Sequence, residues 1–342
     1  MATAPENQPR PVAEAPLEPN LPICDPHHHL RERPNDRYFL EEFIQDTSTG
    51  HNIVATVCVE NRAMYRKDGP ETMKSIGETE FFDSVAAQAA SDANNSTRVA
   101  AAIVGHADLG LGEAVAQVIE AHLRASPNRF RGIRHSTTWD ESETIRSDAR
   151  PGSLADKAFR RGFACLQRYC LSFDAWLYHP QLPELVELAR VFPNVTIVLD
   201  HIGGPLGVGP YKGKRDEVFQ AWSKGIADLS TCPNVAVKLG GFGSTRSGSD
   251  WHERAVQPAS AELANTMAPY FDFCIEHFGV HRCMFESNFP VDKASYSYVA
   301  IWNAFKRISQ GYSAAERNAL FHDTAASVYR IAITGEHKQA GY

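Results

Sequence analysis

Three observations predict that this sequence folds as a single-domain α/β protein, a closed (β/α)8 barrel. Eight short apolar, β-branched segments alternate with stretches of helical period, and such alternation builds a parallel sheet wrapped by helices. The segments read as continuous apolar runs rather than polar–apolar alternation, as strands covered by helices do. Polar and titratable residues crowd the C-terminal end of every segment, where barrels of this kind place their sites.

The elements follow in order. Residues 1–20 carry five prolines and few large apolar side chains, and read as a disordered or extended tail. The barrel spans 21–335, with 336–342 as a C-terminal tail. The first strand, 22–27, runs into Asp25-Pro-His27-His28-His29; the second, 53–59, into Glu60 and Asn61; the third, 99–104, into His106 and Asp108. The fourth, 130–134, ends in Arg134 and His135; the fifth, 171–177, in Tyr178 and His179; the sixth, 195–199, in Asp200 and His201. The seventh, 235–239, contains Lys238, and the eighth, 283–288, carries Glu286 and Asn288, with Asp292 beyond. Stretches such as "FFDSVAAQAASDA" and "DEVFQAWSKGIADLS" supply helices between them. The Gly- and Ser-rich stretch 241–257 reads as a long loop over the site end of strand seven.

Composition bounds the function. With 342 residues and a 43% hydrophobic share, the chain can bury a large core without disulfides. A net charge of −7 argues against nucleic acid and anionic membrane as partners, while local basic groups can still receive an anionic small-molecule substrate. No apolar run reaches the length of a membrane span. Seven cysteines without a CxxC pair read as reduced, buried small hydrophobes of a cytoplasmic protein. The sequence is silent on oligomeric state, and a homo-oligomer stays open. It lacks the G-x-S-x-G elbow, the phosphate-binding G-x-x-x-x-G-K-[ST] loop and a G-x-G-x-x-G after the first strand.

Side chains alternate along a strand, so Asp25, His27 and His29 are expected to face one way and His28 the other. Two imidazoles two residues apart can share one divalent ion, with zinc the first candidate. His201, after the run "VTIVLD", is expected at a strand mouth, against the plainer reading of a core histidine bonded to backbone. His179 is either a third metal ligand or simply the start of the next helix. Arg134, with His135 beside it, can grip a substrate carboxylate or form a structural ion pair. Lys238 lies in the apolar run "VAVKLGGF", where an unpaired ammonium is costly. It is therefore a substrate or oxyanion contact, or half of an internal ion pair. Phe242, Trp139 and Trp176 are candidates for the pocket wall or for packing alone.

The pieces "DPHHHL", "FRGIRH", "LSFDAWLYHPQLPELVELARVFPNVTIVLDHIGGP", "VAVKLGGFG" and "FGVHRCMFESNFPVD" run in order from 25 to 292. Together they resemble the amidohydrolase-related TIM-barrel hydrolases, in particular their lactonase-like branch. The resemblance implies hydrolysis of a lactone or similar cyclic ester, either with a divalent metal or without one. It places His27 and His29 at the metal-binding pair and His201 at the strand-six histidine. Arg134 falls at a carboxylate-binding position, and His179 matches only loosely. With no lysine at the strand-four position, no bridged two-metal centre is expected.

Strand eight departs from the family. Asn288 stands where relatives carry an aspartate, and an amide cannot act as a general base. Glu286, about 6–7 Å deeper on the same strand face, or Asp292, about 13 Å further along an extended chain, is expected to take over. Asp292 is favoured for water activation because it lies toward the open mouth. The rival readings are a metal-dependent decarboxylase of a related barrel class and a non-catalytic binding barrel.

Overall fold

The structure, a computed structural model, describes residues 9–33 and 36–332. Eight parallel strands follow one another around a barrel: β1 (Pro22–His28), β2 (Asn52–Val59), β3 (Arg98–Gly105), β4 (Phe130–Arg134), β5 (Ser172–Ala175), β6 (Ile197–Leu199), β7 (Val235–Leu239) and β8 (Cys283–Phe285). Each leads to one helix of the outer ring: α1 (Leu40–Thr47), α2 (Ile76–Ser91), α3 (Val115–Ala125), α4 (Lys157–Arg168), α5 (Leu182–Val191), α6 (Arg215–Ser230), α7 (Ser260–Phe278) and α8 (Tyr298–Ile308). Two short helices, α9 (Ala314–Asn318) and α10 (Thr324–Val328), follow. No helix among the described residues is long and apolar enough to cross a membrane.

The period of two sorts the strand residues into two cores. Ile133, Phe173, Ile197, Leu199, Val235, Val237, Leu239 and Phe285 point outward, against the apolar faces of the helices. Val57, Ala102, Val104, Val198, Ala236 and Met284 point inward and fill the lower barrel, where eight converging strands leave room mainly for small side chains. Ala325 and Tyr329 close that inner core from below. The same alternation one step higher turns Arg134, Asp174, Lys238 and Asp200 inward, all of them buried. The barrel thus carries a charged layer on top of an apolar one.

The seam is the least regular part. β8 ends at Phe285, three residues earlier than the sequence pattern suggests, and Asn288 adopts a left-handed φ of 55°. The barrel closes through this irregular segment: Asn288 N–H donates to the His27 carbonyl at 2.9 Å, and His29 N–H to the Phe289 carbonyl at 2.7 Å. Strand alternation therefore does not relate Glu286 to Asn288. In β1 the pairing with β2 slips between Asp25 and His28, three steps on β1 matching two on its neighbour. This bulge corrects the expected phase. His27 still faces inward, but Asp25 faces the seam, where it accepts hydrogen bonds from Ser287 Oγ at 2.6 Å and Tyr298 Oη at 3.0 Å. His28 faces outward, stacked on Phe43 and bonded to Thr56.

From residue 9 onward the N-terminal segment lies extended across α7 and α8. Glu14 accepts from Ser260 N–H at 2.6 Å and from Asn303 Nδ2 at 3.1 Å, and Lys306 Nζ donates to the carbonyls of Leu17 and Glu18. Residues 1–8 and the expected 336–342 tail lie outside the described residues.

Candidate active site

The upper end of the barrel opens into a cavity of about 580 Å³. His29, Arg134, His135, His201 and Asn288 reach its wall, with Glu60, Asn61, His106, Asp108 and Trp176. Beneath this floor lies the charged layer. Lys238 Nζ donates to Asp174 at 2.6 Å, stands 3.0 Å from Asp200 and approaches His27 Nδ1 at 3.1 Å. Tyr329 Oη donates to the same Asp174 oxygen at 2.7 Å. Burial disfavours the Lys238 ammonium, but Asp174 and Asp200 outweigh it and keep it protonated. Burial likewise opposes the Asp200 carboxylate, while Lys238 and His27 hold it well below the usual range.

His201 sits in a strained turn. It and Ile202 both adopt left-handed backbone, φ 54° and 50°, a region that side chains with a Cβ avoid. Trp222 Nε1–H pins the turn by donating to the Ile202 carbonyl at 2.7 Å. Gly241 of the following loop packs against it so closely that a Cβ there would lie 2.5 Å from His201 Cβ. The strain aims the imidazole at the cavity while its inner nitrogen meets a carboxylate. His201 Nδ1–H donates to Glu286 Oε1 at 2.6 Å, which leaves Nε2 bare. Burial alone would raise the Glu286 carboxyl; the imidazoles of His201 and His27 outweigh it and hold it down at about 2. Burial works against protonation of His201, and Glu286 more than compensates, raising its basicity. A buried carboxylate behind an imidazole is the arrangement that makes a histidine an oriented base.

His27 and His29 converge. His29 Nδ1–H donates to the Val59 carbonyl at 2.8 Å, so its Nε2 carries the lone pair, and burial keeps the ring neutral. That Nε2 lies 3.2 Å from His27 Nε2. Two nitrogens each about 2.0–2.1 Å from one zinc at a near-tetrahedral angle would be about 3.3 Å apart, so the pair fits such an ion. Asn288 Nδ2 donates to Asp292 at 3.0 Å, which leaves its Oδ1 buried without a partner. Arg134 Nη1, 3.3 Å from His27 Nε2, sets its positive charge against an ion there.

Within this fold, the amidohydrolase family model matches residues 24–331, nearly the whole barrel. The chain belongs to the amidohydrolase family. An uncharacterized protein, y4mH of Sinorhizobium fredii, is 34% identical over 336 residues, covering 91% of this chain and 99% of that one. The L-fucono-1,5-lactonase of Burkholderia multivorans is 28% identical over 233 residues, 68% of this chain and 72% of the relative. A crystal structure of a Burkholderia multivorans amidohydrolase with bound zinc superposes with a TM-score of 0.68 at 26% identity, covering 91% and 99% of the two chains.

Several expected residues of this amidohydrolase stand elsewhere than the sequence suggests. His179 is no partner of His27 and His29. A tight turn starting at His179 carries it into a separate groove of about 560 Å³, where it packs edge-on against Tyr211. Lys238 does not reach the cavity; of its two readings, the internal ion pair holds. Arg134 lines the cavity but turns its fork inward, with Nε on Glu60 Oε1 at 2.8 Å and Nη2 on the Glu60 carbonyl. Asp292 does not line the cavity either. It is fully buried and accepts from Asn288, Tyr296 Oη at 2.6 Å and Gly243 N–H at 3.2 Å. Asp292 thus orients the amide that stands in the usual aspartate position. Of the three aromatic candidates, Trp176 lines the main cavity. Asp174 was missed, although an aspartate inside the apolar run "LSFDAWL" signals a buried cation elsewhere, and that cation is Lys238.

Proposed function

We propose that this amidohydrolase opens a lactone by hydrolysis, with His201 as general base. The observation that carries this reading is the His201–Glu286 pair at the cavity floor, 2.6 Å apart, with Nε2 free to face substrate. A water placed between Nε2 and the ester carbonyl gives its proton to His201 as its oxygen attacks carbon. The tetrahedral adduct collapses by breaking the ring C–O bond, and His201 returns the proton to the departing ring oxygen. One water is consumed and one hydroxy acid forms. The guanidinium of Arg134 supplies positive potential to the developing oxyanion.

His27 Nε2 and His29 Nε2 would hold a divalent ion, zinc first among candidates, and the unpartnered Oδ1 of Asn288 is our candidate for a third ligand. Such an ion would add Lewis-acid polarisation of the carbonyl and acidify a water. The similarity to a lactonase over two thirds of the chain supports the same reaction class. Seven unpaired cysteines fit a reducing compartment, and we place the protein in the cytoplasm on that ground.

The test is a panel of aldonolactones followed by base uptake at constant pH, with and without chelator, alongside elemental analysis. Ring opening that is lost in His201→Asn supports the proposal. Carbon dioxide release from unsaturated carboxylic acids without ester opening would replace it by a decarboxylase. No turnover of either kind would leave a binding barrel.

A further inference from the structure

The cavity wall carries six arginines against four carboxylates, in a chain of net charge −7. Most of these arginines are spoken for. Arg134 holds Glu60, Arg146 holds Asp148 at 3.0 Å, Arg31 holds Asp36 at 2.7 Å, and Arg33 donates to Asn61 Oδ1 at 3.3 Å. Arg62 and Arg246 alone of the six have neither a carboxylate oxygen within 4.0 Å nor a side-chain hydrogen bond among the described residues. They stand on the loops after β2 and β7. Across the seam, the strands between those two are β1 and β8, which lead to His29 and Asn288. The two free guanidiniums therefore flank the sector that holds the candidate metal ligands.

Arg62 is held in place by a dedicated device. Its backbone is left-handed, φ 59°, which is unfavourable for a residue with a long side chain. The carboxyl of Glu78, on α2 and 1% exposed, accepts the N–H of Asn61 and that of Ala63, both at 2.8 Å. It thus clamps the loop on either side of Arg62. Gly77 lets the loop lie directly on the helix: a Cβ there would stand 2.5 Å from the Met64 carbonyl. Burial, helped by the charge of Glu60, keeps the Glu78 carboxyl well above the usual range. A strained arginine, clamped from both sides, exposed on the cavity wall and left without a counter-ion, is placed to receive an anion.

We infer that the substrate is an anionic lactone, one bearing a carboxylate besides its ester, and that Arg62 and Arg246 seat that carboxylate while Glu78 positions Arg62. This rests on the lactonase reading and narrows it. The second charge, rather than the sugar hydroxyls, sets specificity.

The experiment pairs aldonolactones with the corresponding aldarolactones, in which a terminal carboxylate replaces the hydroxymethyl group. Wild type is expected to favour the aldarolactone about tenfold or more in kcat/KM, as a charge-assisted contact implies. Arg62→Gln and Arg246→Gln should each cut that ratio several-fold, chiefly through KM. Glu78→Ala should cut it similarly and Glu78→Gln should restore it, since an amide oxygen still accepts both N–H groups. A preference for the neutral lactone, or variants that lower both lactones equally, overturns the inference. If no lactone is opened, the lactonase reading fails by itself. Calorimetric binding of the open-chain aldarate to wild type and Arg62→Gln then decides: binding weakened several-fold by the substitution upholds the anion seat, and binding that is absent or unchanged overturns it.

Discussion

His201 and Glu286 are the residues on which the chemistry turns. Removing the imidazole in His201→Asn should lower kcat by about 10²–10⁴ with a much smaller change in KM, the signature of a group used in the transition state. Steady-state kinetics on an accepted lactone checks this. Asp292 gives a pH-dependent counterpart in stability. Burial pushes its carboxyl up to about 7, far above the unfolded value near 3.9. The folded state therefore binds the extra proton between those values. The stability it contributes is complete below about pH 4 and is lost as pH rises through 7, by at most about 4 kcal/mol. Urea denaturation at pH 5 and pH 8 should show this fall in wild type and a smaller one in Asp292→Asn.

At the scale of elements, the segment after α10 is a plug as much as a tail. Tyr329 is fully buried beneath the barrel, and its hydroxyl serves Asp174 from below while Lys238 serves it from the side. Tyr329→Phe leaves that carboxylate one donor short and should cost about 1–3 kcal/mol, whereas Tyr329→Ala adds a cavity and should cost about 3–5 kcal/mol. Chemical denaturation monitored by tryptophan fluorescence would separate the two. The strands themselves were legible because helices cover them, so both faces are apolar and the run is continuous. The charged layer was legible as single anomalies, Lys238 above all, but not as pairs, since Glu60 and Arg134 lie 74 residues apart in sequence. A one-residue bulge hid the true facing of Asp25, because hydropathy has no memory of register. His179 misled for a similar reason: the chain turns immediately after β5. Arg62 and Arg246 lie on loops, where no periodicity marks a side chain as facing the site.

Over the whole molecule, the sign of charge reverses between surface and cavity. The chain carries −7, yet its mouth is lined by more arginines than acids. Such a funnel concentrates anions locally while the rest of the surface repels them. KM for an aldarolactone should accordingly rise several-fold between 0.05 and 0.5 M sodium chloride, while KM for the neutral partner should change little. Initial rates over a salt series would show it. The buried ion layer should respond differently. Lys238→Met would strand Asp174 and Asp200 and should cost about 3–5 kcal/mol at any salt concentration, read by denaturation.

The seam between the last strand and the first is tied by two backbone hydrogen bonds, from Asn288 to His27 and from His29 to Phe289. The residues that zip the cylinder shut are thus the ones that furnish the proposed ion seat. An open-sided intermediate with seven good strand pairings would already possess a core yet would lack that seat. An ion held there would therefore bind only once the two chain ends of the sheet had joined, and a substitution that loosens this join would be felt as lost ligand affinity before it was felt as lost structure.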